Sequence, residues 1–230
     1  MYTIYQGKAD KPIRSVHEGG DMRPLYHNPQ PAQSPQIALS RQKNIGLATV
    51  RVNMKIVILM GSPNRKGSTA ILVDHFVKGA TEAGHACEVL DVCHMNIHPC
   101  TGCVRCGYEG PCVQKDDVET IRAKLLRCDM VVFATPLYYY GMSAQLKTVV
   151  DRFCAFNSSL NSRHLKSALL TVAWNADDWT FDALTAHYKT LVRYIRFRDM
   201  GMVLGCGCGT PSMTRESGAP EAAYRLGKSL

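Results

Sequence analysis

The chain has 230 residues, 46% hydrophobic and 20% charged, with a formal net charge of +8. That composition suits a folded globular protein, and no apolar run approaches the ~20 residues that cross a bilayer. The start, MYTIYQGKADKPIR, lacks the apolar core of a secretory signal, so a cytoplasmic location is expected. The positive charge is split evenly: residues 1–53 hold seven Lys/Arg and three Asp/Glu, or +4, leaving +4 for the rest. No basic stripe interleaved with aromatics argues for nucleic acid.

Residues 1–53 carry no cysteine and little periodicity, and are rich in Pro, Gln and Ser near Asn28–Ser40. They read as a disordered arm, or as sequence ahead of a true start at Met54. From Met54 strand and helix patterns alternate. Lys55–Met60 is an apolar run typical of a buried strand. Thr69–Ala83 follows as a helix with Leu72, Val73, Phe76, Val77 and Ala80 on one face. Glu88–Val92 reads as a second strand. Asp116, with Glu119 three positions on, opens a helix in the manner of a capping box. Met130–Ala134 is a third strand. Leu146, Val149, Val150 and Phe153 stripe a helix, and Ala168–Trp174 is a fourth strand. Phe181, Leu184, Tyr188, Leu191 and Ile195 stripe another helix, which Asp177 and Asp178 would cap. Met200–Leu204 is a fifth strand and Glu221–Lys228 a final helix.

Five strands separated by helices predict a parallel α/β sheet, because parallel neighbours need crossovers. The doubly wound order 2-1-3-4-5, with helices on both faces, is the expected architecture for residues 54–230. In that order strands one and three are neighbours, and a ligand binds beyond their carboxyl ends.

Two loops meet at that point. The first strand runs into Gly61-Ser62-Pro63-Asn64-Arg65-Lys66-Gly67-Ser68-Thr69 and then a helix. A helix N-terminus presents unpaired N–H groups and a positive dipole end, which suit phosphate. Gly61 and Gly67 let the backbone turn and approach; Ser62, Ser68 and Thr69 add hydroxyls; Asn64, Arg65 and Lys66 add polarity and charge. Five residues between the glycines, and Ser68 after the second, exclude a nucleotide-hydrolysing P-loop. The alternative is a Gly-rich turn with Ser68 or Thr69 as an ordinary cap. After the third strand comes Thr135-Pro136-Leu137-Tyr138-Tyr139-Tyr140-Gly141, an apolar ledge for a planar ring. Its tyrosines could instead pack on the domain or on a second subunit. The loop Trp174–Trp179 opens on the same rim. Together these loops fit FMN.

Between the second strand and the next helix lie Cys100, Cys103, Cys106 and Cys112, spaced C-x2-C-x2-C-x5-C. Thiolates so spaced can wrap one metal centre in the style of iron–sulfur ligation; zinc or free thiols are the alternatives. His94 and His98 flank the loop in surface or capping roles. Cys87, Cys93, Cys128 and Cys154 read as isolated packing residues, as do Cys206 and Cys208 in GCGCG.

GSPNRKGST, the cysteine loop and TPLYYYGMSAQLKTVVDR, in this order, resemble the NADPH-dependent FMN reductase family of flavodoxin fold, and with the cysteines its iron–sulfur flavoprotein branch. The resemblance covers residues 54–210. It implies FMN held through Ser62, Arg65, Ser68 and Thr69 at the phosphate, and through Pro136, Leu137, Tyr138 and Gly141 at the ring. Asn64, Gly67, Tyr139 and Trp174 complete the candidate set. It also implies a [4Fe–4S] cluster on Cys100, Cys103, Cys106 and Cys112. NAD(P)H or ferredoxin would supply electrons, a small molecule would accept them, and the chain would form a homodimer or homotetramer. With flavin carrying the chemistry, no side-chain acid or base is needed. A cluster-free quinone or FMN reductase and a non-catalytic flavodoxin-like carrier are the competing expectations.

Overall fold

The computed structural model describes residues 53–230. Apart from Asn53, the arm expected over 1–53 lies outside the described residues. Five parallel strands, β1 (Lys55–Met60), β2 (Ala86–Asp91), β3 (Met130–Pro136), β4 (Lys166–Val172) and β5 (Arg198–Gly205), form one sheet in the order β2-β1-β3-β4-β5. The register pairs Ile58 with Val89 on one side and with Val132 on the other. This is the expected doubly wound topology. Central strands are buried along almost their whole length, which explains their unbroken apolar runs.

Side chains alternate across the sheet and feed two cores. Val57, Leu59, Val131, Phe133 and Leu169 face one core. It is closed by α2 (Val118–Leu125), α3 (Ala144–Arg152), a 3-10 turn (Phe153–Phe156), α4 (Asn157–Arg163) and α5 (Asp182–Tyr194). Ile56, Ile58, Val132, Ala168 and Leu170 face the other, under α1 (Ser68–Glu82) and α7 (Ala219–Lys228). A short helix, α6 (Pro211–Glu216), precedes α7. Glycines let α1 and α7 cross closely: a Cβ on Gly79 would run into the Tyr224 carbonyl, and one on Gly227 into the Phe76 carbonyl. Among the described residues no helix is long and apolar enough to cross a membrane.

Three local expectations need correction. The capping box at Asp116 forms only in part: Asp116 Oδ1 accepts from the Val118 N–H at 3.2 Å, but Glu119 pairs with Arg122 at 2.6 Å, and Arg152 also holds the Asp116 carboxylate. Asp177 and Asp178 do not cap a helix; α5 begins at Asp182 with no side-chain cap. The fourth strand stops at Val172, leaving Ala173 and Trp174 to the loop. Helices α4 and α6 were not expected: each is under eight residues, too short to show a periodic stripe.

Candidate cofactor site at the sheet switch point

The carboxyl ends of β1 and β3 are tied together where the Gly61 N–H donates to the Ala134 carbonyl at 2.7 Å. A Cβ on Gly61 would lie 2.6 Å from the Leu146 Cβ and 3.0 Å from the Ser143 Oγ, so only glycine lets the loop pass α3. The loop then folds on itself. The Asn64 N–H donates to the Ser62 Oγ (3.3 Å), the Lys66 N–H to the Asn64 Oδ1 (3.0 Å) and the Gly67 N–H to the Asn64 carbonyl (3.1 Å). Gly67 is the N-cap of α1 and gives it no side-chain cap. No acidic residue occupies the first turn either, so the positive end of the helix dipole is left for an outside anion. Ser68 Oγ is buried without a hydrogen-bond partner. An orphaned hydroxyl of this kind is costly unless a ligand completes it. The capping role considered for Ser68 is therefore not the one observed.

Across the groove, Tyr138 and Gly141 exchange backbone hydrogen bonds of 3.1 Å around a tight turn. Tyr139 and Tyr140 hold φ of 44° and 63°, a left-handed conformation that non-glycine residues adopt at some expense. Thr135 Oγ1 accepts from the Ser143 N–H at 2.9 Å, and Ser143 in turn caps α3 through the Leu146 N–H. These bonds fix the ledge to the sheet. Tyr139 is fully exposed, and Tyr140 packs on Trp179 with ring centroids 5.2 Å apart.

Nine of the twelve candidates line one groove of about 370 Å³: Ser62, Asn64, Gly67, Ser68, Thr69, Pro136, Leu137, Tyr138 and Trp174. Arg65, Tyr139 and Gly141 are not on its walls. Arg65 Nε instead pairs with the Asp91 Oδ2 at 2.6 Å, and His94 Nδ1 takes the other carboxylate oxygen at 2.8 Å. Burial pushes the Asp91 carboxyl up, but hydrogen bonds from His94 and Arg65 outweigh it and hold the group below its usual range. Tyr139 lines a neighbouring open groove with Tyr140 and Asn175.

The far wall was missed. Cys208, Gly209 and Pro211 line the main groove after β5. The Trp174 ring lies against Gly209, where any Cβ would collide with it. The Cys208 N–H donates to the Ala173 carbonyl (2.7 Å), and the Thr210 hydroxyl caps α6 through the Met213 N–H (3.3 Å). The available signal was a glycine-rich run leaving a strand's carboxyl end, followed by Thr-Pro, itself a helix-start pattern. Cys208 itself is buried, as expected of a packing residue; Cys206 is exposed.

The cysteine loop is anchored at its base. The Arg152 guanidinium meets the Asp116 carboxylate with bonds of 2.7 and 3.0 Å, and both side chains are 1% exposed. Arg152 also donates to the His98 carbonyl (2.6 Å), while the His98 N–H donates to Asp116 (3.0 Å). Asn96 and Asp117 bond reciprocally through the Asn96 N–H and the Asp117 N–H. The thiols of the loop meet several partners. Cys100 Sγ lies 3.7 Å from Cys154 Sγ, Cys106 Sγ reaches toward the Cys154 carbonyl at 4.0 Å, and Cys112 neighbours Arg152. Cys103 is exposed, its thiol held below the usual range chiefly by the Arg105 backbone N–H. Among the described residues no three cysteine, histidine or carboxylate side chains converge as metal ligands do. The thiol chemistry suits a cluster; this arrangement of the four does not gather around one. Cys154, expected to be isolated, instead faces Cys100. Burial and the Cys100 and Cys106 thiols push its thiol up to about 12.

A doubly wound sheet with an uncapped, hydroxyl-lined helix N-terminus facing an aromatic ledge at its switch point defines the flavodoxin-like class of α/β fold. Residues 54–201 match the model of the NADPH-dependent FMN reductase family, and the chain belongs to that family. It is similar to the iron-sulfur flavoprotein MJ1083 of Methanocaldococcus jannaschii, with 36% identity over 99 residues, 43% of this chain and 51% of that one. The chain spans about half the length of these iron-sulfur relatives. YwqN of Bacillus subtilis, provisionally named an NAD(P)H-dependent FMN-containing oxidoreductase, is 27% identical over 181 residues, 75% of this chain and 96% of its own. The NAD(P)H:quinone oxidoreductase of Methanothermobacter marburgensis shares the fold, with a TM-score of 0.63, 21% identity, and coverage of 77% of this chain and 96% of that one.

Proposed function

We propose that this protein binds FMN in the groove and transfers electrons from NAD(P)H, or from a reduced ferredoxin, to a small-molecule acceptor. The observation that carries this reading is the buried, partnerless Ser68 hydroxyl beside the uncapped start of α1. Both are what an inorganic or esterified phosphate would complete. Ser62, Asn64, Ser68 and Thr69 would hold the phosphate. Pro136, Leu137 and Tyr138 would seat the ring against Trp174 on the opposite wall. When bound, FMN supplies two-electron hydride acceptance and one-electron release. The chain's own work is to orient the ring, exclude water from one face and neutralise the phosphate. Arg65, already paired with Asp91, adds its charge at the rim rather than in the groove.

The finer reading adds a [4Fe–4S] relay on Cys100, Cys103, Cys106 and Cys112. The thiol spacing and the names of the iron-sulfur relatives support it; among the described residues no converging ligand group adds to that support, and no electron-transfer step is routed through it. Assembly as a homodimer or homotetramer is part of the proposal, favoured by exposed Tyr139 and Trp174, which line the neighbouring open groove. The test is anaerobic purification followed by FMN titration, NADPH-oxidation assays with a quinone acceptor, and iron and sulfide analysis. Saturable flavin binding with NADPH turnover is expected; a chain that refuses FMN refutes the reading.

A further inference from the structure

A second cavity, of about 240 Å³, lies between the end of the cysteine loop, α2 and the turn after α3, and shares no wall residue with the flavin groove. Three cations, Lys115, Arg122 and Arg152, stand on its walls against two carboxylates, Asp116 and Glu119, an excess of one positive charge. Both carboxylates are already answered. Asp116 accepts from the two terminal nitrogens of Arg152 and from the His98 and Val118 N–H groups. Glu119 accepts from the Arg122 Nη1 at 2.6 Å. The donors are not all used. The Nε of Arg122 and the Nε of Arg152 are both buried and without a hydrogen-bond partner among the described residues. The Arg152 side chain is 1% exposed, so bulk solvent does not reach it. Two such orphans on one cavity are costly, because each buried N–H has given up its hydration for nothing. Much of the remaining lining is apolar: Pro111, Val118, Ala155 and Phe156.

We infer that this cavity is a binding site for a small organic monocarboxylate. Its carboxylate accepts from the two orphaned Nε–H groups, a charge-assisted pairing that guanidinium donors favour. Its single charge matches the excess on the walls, which a phosphate dianion would overshoot. Its apolar body lies on Val118, Ala155 and Phe156. The volume is below the ~300 Å³ at which pockets for drug-sized ligands begin, so the acid is limited to a short chain or a single ring. Seated there, the ligand bridges the exit of the cysteine loop to the turn after α3 and reinforces the Arg152–Asp116 clamp. The site uses no thiol as a reactant and leaves the cysteines to their ligand role. This inference goes beyond the flavin reading and does not depend on it.

The test uses the full chain, purified anaerobically with the cofactors it retains, and titrated calorimetrically with propionate, benzoate and inorganic phosphate. Propionate or benzoate is expected to bind saturably and to slow hydrogen exchange at the Val118 and Glu119 amides. Binding should be the same before and after addition of FMN, which fills any anion site at the start of α1. Arg122→Gln, a change at a side chain 25% exposed, should weaken it about ten- to a hundredfold through the loss of one charge-assisted bond. Absence of saturable carboxylate binding, which leaves the cavity to water, overturns the inference. So does affinity undiminished in Arg122→Gln, or phosphate bound in preference to both acids. The wild-type exchange pattern decides the matter even if Arg122→Gln fails to fold: protection confined to other segments overturns the site. FMN uptake measured on the same samples separates failure of this inference from failure of the flavin reading.

Discussion

Replacing Arg152 by Met should unmake the base of the cysteine loop and much of the domain's stability with it. The substitution removes bonds of 2.7 and 3.0 Å to Asp116 and one of 2.6 Å to the His98 carbonyl. The Asp116 carboxylate, 1% exposed, would be left buried without its cation. Breaking a buried pair from one side costs about 3–5 kcal/mol. In a domain of this size that corresponds to a fall in Tm of roughly 6–20 °C. Arg152→Met/Asp116→Leu should lose less than Arg152→Met alone, because no orphaned charge remains, with a coupling of about 1–3 kcal/mol. Thermal and urea unfolding of the two single variants and the double variant measures this, and hydrogen exchange at the Asn96 and His98 amides reports the loop base. A Tm unchanged in Arg152→Met, or strictly additive losses, would refute the reasoning.

The same pair sets an acid limb. Burial raises the Asp116 carboxyl, but Arg152 and the His98 and Val118 N–H groups more than reverse it, so its folded value is depressed. Its stabilisation is present above the unfolded value of about 4 and fades as pH falls through the folded value; Asp116→Asn should flatten that limb of a stability–pH curve. Ser68→Ala with Thr69→Ala should weaken FMN several-fold to about a hundredfold, each charge-assisted contact being worth about 1.5–3 kcal/mol at most; unchanged affinity by fluorescence titration counts against the phosphate assignment. Gly61→Ala should destabilise by about 1–3 kcal/mol through overpacking against Leu146 and Ser143, read by chemical denaturation. Gly227→Ala should do likewise by forcing α7 off α1, while leaving the groove's residues in place.

Sheet order and the two loops that line the groove were legible because they depend on local patterns. An apolar run as short and β-branched as Lys55–Met60 favours a doubly covered strand, and alternation of strand and helix allows few topologies. Gly61 through Thr69 declared a turn into a helix N-terminus from residue type alone. Asp116 shows where local reading stops. Its spacing to Glu119 satisfied a capping box, yet the carboxylate is shared between the Val118 N–H and a cation 36 residues away, and Glu119 turns to Arg122. The groove's far wall, Cys208 to Pro211, was invisible for the same reason: it belongs to the site only because β5 ends beside β4.

The cysteines divide most sharply along this line. Spacing in the chain announced four thiols acting as one group, since covalent distance is all that a motif records. Tertiary packing determines which sulfurs touch. It turned Cys100 toward Cys154 because a buried guanidinium, compensated by one carboxylate and one carbonyl, tied the start of the loop to the end of α3. Sequence could name the donors; only the folded chain, through contacts between residues far apart along it, could choose their neighbours.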